Sequence, residues 1–523
     1  MTAYWTTLSH RGVAVPAVYQ PKGLRLKLGG REVEMNPLAE EMAYHFAKKK
    51  DTPYVKDPVF VANFMTDFAK QLPDWCRDAR YDEFDFSEFY SQVDREKKER
   101  ETMNRERKKS DSAGRKALRD QLKAEFGFAV LDGNRVEIAN WMVEPPGLFM
   151  GRGAHPLRGH WKPRVTRGDI ILNLGEKSSA QEGDWKQVVH DHNSMWIAKW
   201  IDKLTDKEKY VWLHESTPIV QFRNKAKYDS AMKVGIHLER IRNKILKQLS
   251  SRDKTIRQTA TVCYLIDWLG MRVGDEKEED EADTVGASTL RVEHVKIDGD
   301  KIEFDFLGKD SVRWSKTIMA PPPPLLKNLR DFTAGKKPGD LVFDHVNSST
   351  VNRFFSGIVS GLSAKVFRTY HATFVAEDFL KKARVTTNKD DVYKLYQARV
   401  ANLEAAKFCN HQRTVPMNWE ESLEKKKARL TELRKSGKKD DNRMHKLTLD
   451  IDLQERTRNY NLNTSLKNYI DPRVYKSWCD YVGLEWTKIY TASMQRKFAW
   501  VARAKAKWEP EAGEAIQVAP QSS

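Results

Sequence analysis

Tyr469 lies in the run T-S-L-K-N-Y-I-D-P-R, residues 464–473. A phenol can attack a phosphodiester if cations and hydrogen-bond donors neutralise the charge that gathers on phosphorus. Taken alone, a tyrosine more often buries its ring and bonds its hydroxyl. The reading therefore depends on what the rest of the chain supplies. Arg272 directly follows an apolar helical stretch, in M-R-V-G-D-E-K. It needs an anion, either a ligand phosphate or one of the acids at 276–281. Lys309 sits in the turn G-K-D-S. A turn lysine is usually solvated, but one held on a rigid hairpin can protonate a leaving group. Arg368 leads into a helical stretch, and His411 and Arg413 end another; singly, such residues also serve as helix caps. The run E-P-P-G-L-F-M-G-R-G-A-H-P at 144–156 carries Arg152 and His155, with Lys162, Arg164 and Arg167 behind it. Its prolines and glycines exclude a helix and suit a loop held against a phosphate backbone, or a plain structural turn.

These residues need elements to position them. Residues 5–27 read as irregular or short β structure and 39–48 as a helix. Phe60, Phe64 and Phe68 put helical spacing into 57–79. The charged stretch 95–109 cannot bury a face and reads as a solvated helix or arm. Helices are expected over 228–249, 256–271, 351–362 and 392–408, with a further one following Arg368. Residues 290–316 alternate like sheet, with Asp298-Gly299 as a hairpin turn and Lys309 at the tip of a second one. Residues 321–324 and 335–339 read as loops. Residues 419–458 read as two charged helices with a seam of Trp419, Leu423, Leu430, Leu433, Met444, Leu447 and Ile451, broken at Ser436-Gly437. That is the pattern of a short antiparallel coiled-coil hairpin. A last helical region runs to Trp500.

Composition narrows the partner. The chain has 523 residues, 91 of them Lys or Arg against 73 acids, a net charge of +18. That surplus points to a polyanion. No lipidation motif or amphipathic anchor favours a membrane surface, and no apolar run reaches the length of a span. Cys76, Cys263, Cys409 and Cys479 are scattered, which indicates neither a zinc site nor a disulfide framework. His190 and His192 form an H-x-H pair without a carboxylate or cysteine cluster, so no metal site is called. There is no G-x-x-x-x-G-K-[ST] loop, hence no Walker-type ATP site.

In order, Arg272, Lys309, Arg368, His411 and Tyr469 resemble the catalytic set of the eukaryotic-type DNA topoisomerase IB family. The phrases that carry the resemblance are E-P-P-G-L-F (144–149), G-R-G-x-H-P (151–156), R-V-G-D-E-K-E-E (272–279) and A-D-T-V-G (282–286). With them stand L-R-V-E-H (290–294), F-D-F-L-G-K-D-S (304–311), A-K-V-F-R-T-Y (364–370), C-N-H-Q-R (409–413) and N-Y-x-D-P-R (468–473). The resemblance implies an α+β multidomain fold that clamps DNA between two lobes. One is a mixed α/β cap lobe. The other is a mainly helical, tyrosine-recombinase-like catalytic lobe with β hairpins, followed by an antiparallel coiled-coil linker. The implied domains are 1–215 (cap and hinge strands), 216–412 (catalytic core), 413–459 (linker hairpin), 460–505 (the tyrosine domain) and 506–523 (a disordered tail).

The same resemblance implies roles. Tyr469 is the nucleophile that forms a 3′-phosphotyrosyl bond. Arg272, Arg368 and His411 clamp the non-bridging oxygens, and Lys309 is the acid for the departing 5′-hydroxyl. Arg152, His155, Lys162, Arg164, Asp310 and Asn468 contact DNA. Arg152, Asp310 and Asn468 also border the place where camptothecin-type inhibitors stack. No cofactor, ATP or metal is implied. The partner is double-stranded DNA, clamped by a monomer, in the nucleus. Nuclear members usually carry a long charged N-terminal extension, whereas here the recognisable core begins within a few residues of Met1, so a viral or other DNA-containing compartment is the alternative. The linker is shorter than in many relatives. Met150 stands where relatives often have Arg, Ala154 where they often have Asn, and Leu466-Lys467 reverses their usual Lys-Leu. The rival readings are a tyrosine recombinase and a catalytically silent DNA-binding protein.

Overall fold

Capped helices and short strands fill the first part of the chain. A computed structural model describes residues 4–178, 183–275, 284–435, 441–504 and 508–509. The chain divides into two compact units, Met1–Val220 and Gln221–Lys277 with Thr284–Ser523.

The first unit opens with β1 (Leu8–His10), β2 (Leu26–Leu28), β3 (Arg31–Val33) and α1 (Pro37–Ala47). Asn36 caps α1 by accepting from the Ala39 N–H, and Pro37 suits its first turn. Helix α2 (Pro58–Phe68) is capped by Asp57 and buries Phe60, Phe64 and Phe68. It ends well short of the expected residue 79. Pro73 holds Leu72 in an extended conformation that no helix passes through. After β4 (Phe84–Asp85), the charged stretch forms two helices, α3 (Ser87–Thr102) and α4 (Arg105–Phe126). Asn104 interrupts it by capping α4 through the Arg107 N–H.

The remaining strands are β5 (Phe128–Leu131), β6 (Asn134–Ala139), β7 (Gly147–Leu148), β8 (Trp161–Lys162), β9 (Ile171–Asn173), β10 (Gln187–Val189), β11 (Trp196–Ile201) and β12 (Glu208–Leu213). Seven strands form one sheet in the order β1-β5-β6-β12-β11-β9-β10. All its pairs are antiparallel except β9 with β10. His190 and His192 flank its edge as structural groups. His190 bonds the Leu174 carbonyl, and His192 bonds Trp5 O and Glu176.

The second unit begins within α5 (Pro218–Gln248), ten residues earlier than the apolar stripe predicts. The opening turns carry no stripe, and Phe222 is left exposed. Helix α6 (Lys254–Leu269) follows, capped by Asp253. Strands β13 (Val295–Asp298), β14 (Lys301–Gly308) and β15 (Val312–Met319) form an antiparallel sheet. Val292–His294, expected as strand, is a 3-10 turn. Helices α7 (Pro323–Thr333), α8 (Ser348–Ile358), α9 (Ala364–Ala383) and α10 (Asp391–Phe408) complete the core. The second proline pair, expected as loop, opens α7 because proline fits a first turn.

Helices α11 (Trp419–Lys435) and α12 (Asp441–Arg456) pack on each other. The expected break at Ser436-Gly437 lies outside the described residues. Leu423, Leu430 and Ile451 are buried between the two helices, flanked by Trp419, Met444 and Leu447. Gln454 reaches back to the Trp419 carbonyl at 3.3 Å, so the start of one helix meets the end of the other. The pair is tied to α10: the Tyr396 hydroxyl bonds Asp452 and accepts from Arg456, and His445 lies 3.4 Å from Asp390. The chain closes with α13 (Leu462–Asn468), α14 (Pro472–Val482) and α15 (Ala492–Lys497). Trp508, assigned from sequence to a disordered tail, packs on the cluster around Tyr475 and Trp478.

Candidate active site

Helix α6 carries its chain to the site and then must stop. Gly270 takes a left-handed conformation, φ +67°, and a Cβ there would lie 2.7 Å from the Phe408 ring. Only glycine suits both demands. Arg272 follows two residues on. Its backbone is held by Ala287, whose N–H donates to Arg272 O at 2.8 Å, and the next rung runs from Ser288 N to Val273 O at 2.7 Å. Gly274 and Gly286 touch backbone to backbone, where a Cβ on Gly286 would sit 2.4 Å from Gly274 Cα. The half-buried Arg272 guanidinium forms no hydrogen bond or ion pair among the described residues. The acids at 276–281 considered for it lie outside those residues. It faces the Tyr469 ring, 5.9 Å from the centroid.

Helix α9 supplies Arg368, which is buried. One terminal nitrogen donates to Gly270 O, and the other to Cys409 O at 2.7 Å. The latter also lies 3.5 Å from His411 Nε2. His411 comes just past α10, where its N–H bonds Ala406 O and its carbonyl accepts from Asn461. Burial, then the charges of Arg368 and Arg272, lowers its pKa to about 3. It is a neutral imidazole at physiological pH. Among the described residues, His411 Nδ1 and Arg368 Nε are buried without a hydrogen-bond partner. Unpartnered buried polar groups are costly and call for an explanation.

Tyr469 stands at the end of α13. Its ring lies 5.1 Å from that of His411 and 5.4 Å from the Arg368 guanidinium. Its main chain is clamped on both sides. Its N–H donates to Ser465 O, its carbonyl accepts from Thr373 Oγ1, and Asp471 N donates to that same hydroxyl. Asp471 then caps α14 and pairs with Arg473. Lys227 of α5 donates to Asn468 O at 2.7 Å. A cleft of about 730 Å³ opens here, lined by Arg272, Arg368, Tyr469, Asn468, Lys227 and Lys309 among others. Lys309 is exposed at the tip of the β14–β15 hairpin, with Gly308 paired to Val312. Asp310 and Ser311 turn that tip in left-handed conformations, φ +68° and +57°.

The structure thus brings Arg272, Arg368, His411 and Tyr469 together and lines one cleft with Lys309 and Asn468. Arg152, His155, Lys162 and Arg164 belong to the first unit. Arg152 is exposed, and the His155 ring meets Phe149 edge-on at 4.8 Å. Lys162 pairs with Glu144 and lies 3.6 Å from Asp202, and burial lowers its pKa. Arg164 donates to the carbonyls of Pro16 and Ala17 and lies 3.4 Å from Glu41. These two cations therefore hold internal partners. Sequence reasoning passed over Lys316 of β15, whose Nζ donates to Leu269 O and Phe408 O.

Three family models match the chain: the eukaryotic DNA topoisomerase I DNA binding fragment over residues 3–213, its catalytic core over 216–444, and the C-terminal topoisomerase domain over 441–510. DNA topoisomerase 1 beta of Arabidopsis thaliana is 36% identical over 95% of the chain and 58% of its own length. DNA topoisomerase 1 of Rattus norvegicus is 33% identical, and that of Homo sapiens 32%, each over 95% of the chain and 70% of its own length. The chain thus spans under two thirds of the plant relative and somewhat more of the mammalian ones. By these matches, the chain belongs to the eukaryotic DNA topoisomerase I family.

Proposed function

We propose that this chain is a type IB DNA topoisomerase, an isomerase that relaxes positive and negative supercoils. It nicks one strand, lets the duplex rotate and reseals the nick. The observation that carries this reading is the cluster of Arg272, Arg368 and His411 around the Tyr469 ring, with two buried polar atoms lacking partners. Such a cluster suits an anion with several acceptor oxygens, as the scissile phosphate is.

In the forward step, Tyr469 Oη bonds to phosphorus while the P–O5′ bond breaks. The phenol proton passes to solvent. The leaving electron pair stays on O5′, which takes a proton from the Lys309 ammonium. Arg272 and Arg368 balance charge on the non-bridging oxygens, and neutral His411 donates an N–H to one of them. The product is a 3′-phosphotyrosine, one phosphodiester in place of another, so resealing is the same step reversed and draws on neither ATP nor a cofactor. Loss of any one of the three clamp groups costs roughly a hundredfold or more in rate, by analogy with an oxyanion-hole donor.

In this reading the first unit and the catalytic unit form two lobes of a monomeric clamp on double-stranded DNA in the nucleus. The α11–α12 pair is the coiled-coil linker, and Arg152, His155, Asp310 and Asn468 contact DNA. Arg152, Asp310 and Asn468 are the inhibitor-facing positions. Plasmid relaxation without ATP or magnesium, beside Tyr469→Phe, tests the proposal. The wild-type chain relaxes a plasmid that has no recombination site, which separates it from a recombinase. The variant binds DNA and forms no adduct. Relaxation by the variant at the wild-type rate removes Tyr469 from its role.

A further inference from the structure

Helices α6 and α10 end side by side, the first leading to Arg272 and the second to His411. The last carbonyls of any helix lack intrahelical partners and carry partial negative charge. Here two cations bridge both ends in parallel. Arg368 joins Gly270 O to Cys409 O. Lys316 joins Leu269 O, at 2.9 Å, to Phe408 O, at 3.3 Å. The acceptors are consecutive residues in each helix, so the two cations form neighbouring rungs of one ladder.

Lys316 reaches this place from β15, with its ammonium 5.6 Å from the Trp314 ring centroid and 4.9 Å from that of Phe408. Asn410 adds a tie from the end of α10 to the same strand, donating to Arg313 O at 2.9 Å. Burial lowers the Lys316 pKa to about 8, which leaves it largely charged at neutral pH. The carbonyls at the two helix ends are the groups that offset its desolvation. It is not among the residues lining the cleft.

We infer that Lys316 is a positioning residue: by stapling the C-terminal ends of α6 and α10 together, it sets Arg272 and His411 at the spacing needed to hold the two non-bridging oxygens of one phosphate. The inference rests on the strand-transfer reading above. A neutral side chain of similar length fills the space but leaves two carbonyls without donors. The two helix ends are then bridged by the Arg368 rung alone, and a shift of about 1 Å in a reacting constellation costs on the order of a hundredfold.

The test is single-turnover cleavage of two DNA duplexes by the full chain. One has an ordinary scissile phosphodiester. The other has a methylphosphonate there, in which a methyl group replaces one charged oxygen. The clamp has less charge to match on the second, so a misplaced clamp matters less. Lys316→Met is expected to lose roughly tenfold to a hundredfold on the ordinary duplex, and much less on the methylphosphonate. Lys316→Arg, which keeps charge and donors, recovers most of the loss. Lys316→Gln is measured beside them, so that a Met variant that does not fold still leaves the ratio readable. An equal loss on both duplexes, or no loss on either, overturns the inference. Failure of the wild-type chain to form a Tyr469 adduct on the ordinary duplex overturns the reading beneath it.

Discussion

Burial, and after it the charges of Arg368 and Arg272, drive the His411 imidazole toward its neutral form. Its native pKa of about 3, against about 6.5 for an unfolded histidine, makes its effect on stability calculable in sign. Between those values the unfolded chain binds a proton that the native chain does not, so stability falls as pH drops from 6.5. His10 and His45, lowered to about 4 chiefly by burial, act the same way. Each contributes a slope of about 1.4 kcal/mol per pH unit within its window. Calorimetry from pH 7 to pH 4 is expected to show a falling Tm, with a shallower fall in His411→Gln. The cleavage rate, in turn, shows no step near pH 6.5 that His411→Gln removes. Lys309 gives a different test. If it protonates O5′, Lys309→Ala slows cleavage of an ordinary duplex far more than one with a 5′-bridging sulfur, a leaving group that needs little help. Equal slowing would make Lys309 a residue that only positions DNA. Arg272, Lys309, Arg368, Asn468 and Tyr469 were legible in the sequence because each sits in a distinctive phrase, whereas Lys227, which lines the same cleft, sits in none. Lys316 was not, because its role exists only where residues 269, 316 and 408 meet. Lys162 and Arg164 look free in the sequence for a similar reason, since Asp202, Glu41 and the carbonyls of 16 and 17 are remote along the chain.

Helix periods were read well where an apolar stripe met a capping residue, as in α6 with Asp253, and poorly where a local turn overrode the stripe, as at Leu72-Pro73. No stripe shows what joins the helices of the catalytic unit. Asp267 of α6 is fully buried. It bonds His371 of α9 at 2.6 Å and Arg242 of α5 at 2.8 Å. One carboxylate thus ties together three helices, and two of them lead to Arg272 and Arg368. Breaking a buried ion pair by removing one partner costs about 3–5 kcal/mol, because the other charge stays behind. Asp267→Ala is therefore expected to destabilise the catalytic unit by about that amount, read from denaturant midpoints. A loss well under 1 kcal/mol would mean that water replaces the carboxylate there.

At the scale of the chain, the +18 charge predicts binding that weakens steeply with salt, as phosphate contacts release counterions. The α11–α12 pair contributes to that surface through Lys425, Lys426, Lys427 and Arg429. It buries few side chains of its own. Replacing residues 419–458 with a short Gly/Ser joint is expected to leave cleavage intact, weaken binding in a salt-dependent way, and change the number of turns released per nick. Single-molecule relaxation traces at several salt concentrations measure this. An unchanged distribution would make the pair a passive connector. The order of the parts was legible from the family phrases, but the attachment of this pair to α10 was not, since Tyr396, Asp452 and Arg456 fall in unremarkable helical positions. That attachment has a mechanical consequence. Tyr396 grips the hairpin partway along α10, and His411 lies just past the end of the same helix. At 1.5 Å per residue, the helical run from Tyr396 to Phe408 is a stiff moment arm of roughly 18 Å, with His411 three residues past its end. A tilt of about 3° displaces the far end by about 1 Å, the scale at which reacting groups lose register. If the chain relaxes DNA as proposed, torque applied to the hairpin by turning DNA would be felt at the imidazole, and the rate of resealing would report the twist still stored in the duplex.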